Sequence, residues 1–204
     1  LLTTECEAVL GHDCFSAYRA YMEKASVTVQ FCVAHLIREL RFVSESTNVY
    51  IAAYGQRLLD QLKCLFRLIH RRDQLAPDTF QRRLEQIRDD FLQKARRTKA
   101  GGAAATLAKR FRIYGRDYFT FITCPDIEPT NNVAERALRF CVIDRRTTQG
   151  TRGRKGQQWC ERFWTIRQTC HQQGLSVCRF IQQAVHASFQ GATAPSLLLP
   201  DVIP

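Results

Sequence analysis

The sequence contains no apolar run that approaches the roughly 18 residues needed to cross a bilayer. It does not begin with the basic and then apolar stretch of a secretory signal. Its nine cysteines include no Cys-x-x-Cys pair, and in a chain of 204 residues this pattern is typical of free thiols in a reducing compartment. The single methionine is Met22. These features predict a cytoplasmic protein, and we expect the chain to be the later part of a longer one.

Acidic residues are scarce relative to basic ones, with 19 Asp and Glu against 30 Lys and Arg and a net charge of +11. The excess is uneven. Residues 1–44 hold 4 basic and 5 acidic side chains, residues 45–100 hold 12 and 7, and residues 101–204 hold 14 and 7. This distribution indicates a cationic face, and it favours a polyanionic partner, nucleic acid before an acidic membrane surface.

Hydrophobic periodicity predicts a β-α-β-α opening. Residues 6–13 form a short apolar run that suits a buried strand, and residues 27–31 alternate apolar and polar side chains as a half-buried strand does. Aromatic residues at helical spacing in 15–21 predict the first helix, and a period near 3.6 from Ala34 predicts the second. Most of the remaining sequence has helical periodicity.

Asp13 is the first candidate for chemistry, because it ends the first predicted strand. The carboxyl ends of strands in α/β sheets are where such proteins place catalytic groups and metal ligands. The alternative is that Asp13 caps the N-terminus of the helix predicted in 15–21. Position alone favours the cap.

Glu135 is the second candidate, and its local sequence also has a structural explanation. Asn132 and Glu135 have the spacing of a capping box, with Asn132 at the N-cap. Arg139 stands four residues further on and offers an ordinary helical ion pair. A catalytic role would require a second carboxylate nearby in space, because Mg²⁺ is usually held by a few carboxylates with phosphate and water oxygens.

Cys32 and His35 form half of a zinc site, and no complementary pair with usable spacing occurs elsewhere. A packed thiol and a hydrogen-bonding imidazole is the simpler interpretation; a Cys-His catalytic dyad has no other support. Residues 144–156 (DRRTTQGTRGRKG) combine arginines with glycines. Such a loop lets backbone and cations approach phosphate, although a solvated basic loop is the alternative.

These elements, in this order, resemble the DDE transposases of the insertion-sequence-66 type. The resemblance rests on GHDCFSAY at 11–18, CVAHLIR at 32–38, YFTFI at 118–122 and PTNNVAERALR at 129–139. It is extended by GTR at 150–152 and TCHQQG at 169–174. The 129–139 string is the most specific of these motifs.

The resemblance implies a ribonuclease-H-like α/β core with an all-α insertion and C-terminal helices. It implies phosphodiester hydrolysis and strand transfer at transposon ends, with two Mg²⁺ or Mn²⁺ ions in the complete site. Asp13 would be the second acid and Glu135 the third, both as metal ligands. The supporting residues would be Cys32, His35, Asn131, Asn132 and Arg136. The DNA-binding residues would be Arg139, Arg145, Arg146, Arg152, Arg154 and Lys155.

The resemblance also implies a domain plan and partners. Residues 1–44 and 103–190 would build the core, residues 45–102 the basic helical insertion, and residues 191–204 an irregular tail. The partner would be double-stranded DNA, bound by a homo-oligomer in the bacterial cytosol and associated with the nucleoid.

Three features depart from the family pattern, and one is the basic stretch 145–156, which is less conventional than the family's Gly-Gly-Thr-Arg form. No residue before Asp13 fits the first catalytic aspartate, and Phe140 stands where the family usually has proline. We therefore expect a C-terminal part of a transposase that is inactive alone. The alternative is a basic DNA-binding remnant that does not cut.

Overall fold

The computed structural model describes residues 8–14, 20–22, 27–124 and 126–197, and most of them are helical. The chain divides into two compact units, residues 1–133 and residues 134–204. Within the described residues, no helix is both long enough and apolar enough to span a membrane. The helix predicted in 15–21 falls largely outside the described residues.

Two short strands pair in parallel in the first unit. Strand β1 is Leu10–His12 and strand β2 is Val29–Phe31, with Leu10 opposite Val29 and His12 opposite Phe31. The backbone N–H of Cys32 donates to the carbonyl of His12 at 2.8 Å, which extends the pairing to the end of β1. In the part of the chain that the structure describes, this pair is the whole sheet of the expected α/β core.

Strand β2 is buried along its whole length, which corrects the prediction of a half-buried strand. Only 2% of the surface of Gln30, the polar residue in the middle of the strand, is exposed. A parallel strand covered on both faces has no solvent side, so the alternation of side chains does not sort polar from apolar environments there. The Gln30 amide satisfies its polar atoms internally. Its Nε2 donates to the carbonyls of Phe31 (2.7 Å) and Tyr118 (3.1 Å), and its Oε1 accepts from the N–H of Phe121 at 2.9 Å.

Four helices follow in the first unit, as the periodicity predicts. They are α1 (Val33–Ser44), α2 (Val49–Ile69), α3 (Pro77–Ala95) and α4 (Gly102–Tyr114), followed by the 3-10 turns Gly115–Tyr118 and Thr120–Ile122. The Asn48 side chain caps α2 by accepting from the N–H groups of Tyr50 and Ile51.

Helices α1 and α2 approach each other closely at Gly55. A Cβ at this position would stand 2.7 Å from the backbone nitrogen of Ser44 and 3.0 Å from the carbonyl oxygen of Leu40. Glycine therefore permits the two backbones to meet directly. On another face of α2, the hydroxyl of Tyr54 donates to the carbonyl of Ala95 at 2.6 Å and joins α2 to the end of α3.

Aromatic rings fill the space between the strands and the helices. The ring of Phe31 is fully buried and meets the rings of His12 and Tyr118 edge to face, with centroids 4.8 and 5.1 Å apart. Phe91 of α3 packs in the same way against Phe111 of α4, at 5.4 Å. Edge-to-face packing suits the quadrupoles of the rings, and the first unit therefore has a continuous core.

Three helices account for most of the second unit. Helix α5 (Asn132–Thr148) carries the chain from the first unit into the second, and α6 (Arg154–Gln172) and α7 (Val177–Phe189) follow. Gly174 ends α6 with a φ of 68°, and the Ser176 hydroxyl caps α7 by accepting from the N–H of Arg179. Among the described residues of this unit, Cys170 alone is buried.

The contact at Gly55 predicts that Gly55→Ala destabilises the fold. Alanine usually improves an exposed helix by up to about 1 kcal/mol, but here its methyl group meets backbone that cannot move aside. We expect the free energy of unfolding to fall by about 1–3 kcal/mol, measured by urea denaturation. Gly101→Ala is the control, because a Cβ there meets no atom within 4 Å. Equal stabilities for the two variants would contradict the close contact.

The buried amide of Gln30 predicts a second stability effect. Gln30→Leu keeps the size of the side chain but leaves the N–H of Phe121 and the carbonyl of Tyr118 without partners. Each stranded buried group costs about 1–3 kcal/mol, so we expect a loss of at least about 2 kcal/mol in thermal or urea unfolding. Gln56→Leu is the matched control, because that amide is exposed and donates to the exposed carboxylate of Asp60. A loss no larger than the control's would refute the structural role of Gln30.

Burial raises the pKa of Asp117 to about 6. The unfolded carboxyl titrates near pH 4, so the folded state binds the proton more tightly and loses stability as the pH rises from about 4 to about 6. Asp117→Asn removes this cost. We expect it to stabilise the protein at pH 7 by about 1 kcal/mol, which allows for solvent screening of a partly exposed group. The gain should disappear in melting curves below pH 4; a gain that persisted there would have another cause.

Candidate active site

Asp13 lies at the carboxyl end of β1, as the sequence predicts, and its side chain is exposed. Its backbone is held from the strand side by the bond from the N–H of Cys32 to the carbonyl of His12. The arrangement leaves a carboxylate accessible on a fixed backbone, which is what a metal ligand requires. The N-cap alternative for Asp13 concerns residues 15–19, which lie outside the described residues.

His12 shapes the turn that carries Asp13. Its ring is buried, and its Nδ1 accepts a hydrogen bond from the backbone N–H of Cys14 at 3.0 Å. Desolvation by burial lowers the pKa of His12, and the neighbouring Asp13 carboxylate opposes this effect. An imidazole that accepts at Nδ1 is neutral, in agreement with the direction of this pKa shift. The sequence motifs predict no role for His12. The feature that could have indicated one is a polar ring inside an apolar strand.

Cys32 is buried at the junction of β2 and α1, and it contacts the segment that carries the specific motif. Its Sγ accepts from the backbone N–H of Asn131 at 3.4 Å. Beside this bond, the N–H of Val33 donates to the carbonyl of Pro129 at 2.9 Å. Residues 99 positions apart in the chain are thus in direct contact, and Cys32 acts here as a packed thiol that accepts a hydrogen bond.

His35 lies in the first turn of α1 and is half-buried. Its Nε2 is 3.5 Å from the guanidinium of Arg38, one turn along the same helix. Cys32 precedes α1, so the Cys-x-x-His spacing sets the thiol and the imidazole at the start of one helix. Both residues belong to the first unit, as do Asp13, Asn131 and Asn132.

Glu135 lies in the first turn of α5, and its side chain is half-buried. An N-cap at Asn132 would place the first helical residue at position 133. The helix instead begins at Asn132, so Asn131 occupies the position before it. Arg136 and Arg139 are exposed on the same helix. Glu135 and all residues after it belong to the second unit.

The basic segment 144–156 differs from the expected flexible loop. Arg145 and Arg146 lie in the last turn of α5, and Arg154 and Lys155 begin α6. Only residues 149–153 lie outside helices, with Gln149 and Gly150 at φ angles of 59° and 78°. Helix α5 continues through Arg145 and Arg146 because Arg and Thr are tolerated in a helix interior. The helix ends where the glycines begin. All four cations, and Arg152 between them, are exposed.

Comparison with known proteins gives one match. The model of the family described as "Transposase IS66 family" matches residues 1–158. No curated protein and no solved structure matches the chain. The matched range includes both candidate carboxylates and ends within the first turns of α6.

Proposed function

The chain belongs to the transposase IS66 family, whose model matches residues 1–158 of its 204 residues, and from this premise we propose that it is a DDE transposase that cuts and rejoins DNA strands at transposon ends. Membership of the family implies a transposition enzyme that binds DNA. The finer assignments below are our proposal. The single observation that carries them is the exposed carboxylate of Asp13 at the carboxyl end of β1, within the matched range.

We propose that Asp13 and Glu135 are ligands of the divalent metal ions that transposases of this type generally use. The donor chemistry fits, because both side chains are carboxylates and Mg²⁺ and Mn²⁺ prefer hard oxygen ligands. The place of each group within its own unit also suits a metal ligand. Asp13 is exposed beside a strand end, and Glu135 stands at a helix N-terminus, where the helix dipole stabilises its negative charge.

The residues around these carboxylates have supporting roles in this proposal. The neutral ring of His12 fixes the turn that follows β1, so it positions Asp13. Cys32 fixes the start of the motif segment through the N–H of Asn131. His35, Asn132 and Arg136 are assigned to the surroundings of the site by their place in the family motifs.

The proposed chemistry is in-line displacement at phosphorus. When bound, divalent ions would stabilise the charge that develops on the attacking and leaving oxygens. The protein would supply the ligands and the rigid backbone that holds Asp13, and no nucleophilic side chain is needed. We assign the neutralisation of DNA phosphates to exposed cations of α5, of the turn that follows it and of the start of α6, namely Arg139, Arg145, Arg146, Arg152, Arg154 and Lys155. Strands β1 and β2 would belong to a ribonuclease-H-like core.

The proposal predicts that Asp13→Asn and Glu135→Gln each abolish transposition. The measurement is the frequency with which a marked element moves in cells that express the full reading frame encoding this chain. We expect a fall of at least about 100-fold for each variant, because loss of a metal ligand removes several kcal/mol of transition-state stabilisation. Glu161→Gln is the control, since this exposed carboxylate lies in the second unit outside the matched range.

A second readout uses the purified chain without DNA. Mn²⁺ should raise the melting temperature of the parent protein and of Glu161→Gln by binding the folded state, and it should do so less for Glu135→Gln. Transposition that continued at parental frequency in Glu135→Gln would refute the assignment. A parent that bound DNA in a salt-dependent way but never moved the element would identify the non-catalytic remnant instead.

A further inference from the structure

A groove of about 520 Å³ opens in the first unit between α2, the turn that follows α3, and α4. We call it the basic groove, because five cationic side chains line it. They are Arg57, Arg96, Arg97, Lys99 and Arg112. No carboxylate is found among the described residues that line this groove. None of the positions assigned above to metal or DNA binding contributes to it.

The walls of the basic groove are fixed by hydrogen bonds between elements. The buried hydroxyl of Tyr54 donates to the carbonyl of Ala95, which joins α2 to the end of α3. The guanidinium Nε of Arg96 donates to the carbonyl of Phe111 at 3.3 Å, which joins the following turn to α4. The guanidinium of Arg57 stands 5.9 Å from the centre of the Tyr54 ring. These contacts fix the backbone segments from which the cationic side chains extend.

The cations of the basic groove lack direct ion pairs in the described part of the chain, and the nearest compensation is the longer-range attraction between Arg96 and Asp89. Across residues 8–14, 20–22, 27–124 and 126–197, none of the five cations forms an ion pair with a carboxylate. Elsewhere in the same unit such pairs do form, as between Arg110 and Glu39 and between Lys63 and Asp60. A concave surface with several unpaired cations concentrates positive potential and attracts anions.

Helix dipoles explain only part of this arrangement. Cations near helix C-termini are favourable, and this accounts for Arg96 after α3 and for Arg112 in the last turn of α4. It does not account for Arg57 in the middle of α2, or for three elements that present cations to one groove. Acidic residues of the same unit line a different groove, near the start of α3. They are Asp73, Asp78, Asp126 and Glu128.

We propose that the basic groove binds the sugar–phosphate backbone of duplex DNA, as a contact surface separate from the carboxylates. This inference rests on the proposed function, which makes DNA the substrate. Guanidinium and ammonium groups bind phosphate by charge-assisted hydrogen bonds and carry no base specificity. The exposed ring of Tyr50 at the edge of the groove adds a surface for the sugar. In this proposal the basic groove holds the DNA on which Asp13 and Glu135 act.

The test compares two double variants of the 204-residue chain. Arg97→Gln with Lys99→Gln removes two exposed cations from the basic groove. Arg82→Gln with Arg83→Gln is the matched control, because it removes two exposed cations of α3 that do not line the groove. Binding of a random-sequence duplex is measured from 50 to 200 mM salt without divalent ions. Melting curves verify that both variants fold.

We expect the groove variant to bind DNA several-fold more weakly and to reduce the slope of log K against log salt by about 2, which corresponds to two lost phosphate contacts. The control should change the slope by less than half of that amount. Equal effects in the two variants, or no effect in either, would overturn the proposal, because the attraction would then come from net charge or from another surface.

Two further measurements separate related outcomes. In the first, inorganic phosphate replaces chloride at equal ionic strength, and its binding to the protein is measured by calorimetry. If the parent binds it and the groove variant loses only that binding, the groove is a small-phosphate site and the DNA assignment is wrong. Asp13→Asn and Glu135→Gln should retain the parental salt slope, and the groove variant should retain the Mn²⁺-induced rise in melting temperature. Failure of the groove proposal and failure of the catalytic proposal therefore give different results.

Discussion

The buried amide of Gln30 is the interaction on which the geometry of the first unit depends. It sits in the middle of β2, and two of its three hydrogen bonds join that strand to the 3-10 turns around Tyr118 and Phe121, while the third stays within the strand at the carbonyl of Phe31. The hydroxyl of Thr120 adds a bond to the carbonyl of Val29. An amide that is fully desolvated is tolerated only when its polar groups are paired, so the strand has one position relative to these turns. The parallel register transfers this constraint to β1 and hence to Asp13.

Local patterns in the sequence predict the elements of the first unit, but they do not predict the long-range contacts that fix those elements. The helices α1 to α4 follow from their periodicity, and Asp13 at a strand end follows from an apolar run that stops at a polar pair. The burial of Gln30 could not be read from alternation, because a strand covered on both faces has no polar side. The contact between Cys32 and Asn131 could not be inferred from spacing either, since it depends on how β2 and the turns close the chain. Only the family motifs linked those two segments in advance.

The second unit has a different physical basis, with little burial and much stacking. The rings of Phe140 on α5 and Trp164 on α6 are stacked at 6.4 Å, and Trp159 and Phe163 stack along α6 at 4.9 Å. The guanidinium of Arg167 lies over the Phe140 ring at 3.8 Å from its centre. Such contacts add to stability where rings remain partly in water, although each is worth only about 1 kcal/mol. The basic helix ends of this unit are therefore carried on aromatic contacts rather than on a deep core.

Phe140 connects this packing to the length of α5. Proline at position 140 would lack the N–H that an interior helical residue donates, and its ring would clash with the preceding turn. Phenylalanine permits α5 to continue without a break to Thr148, two turns beyond this position. The continuation places Arg145 and Arg146 in the last turn, where the helix dipole favours cations. Phe140 therefore keeps α5 continuous and provides a ring against which Trp164 of α6 packs. The continuous helix carries Arg145 and Arg146, and both side chains are exposed.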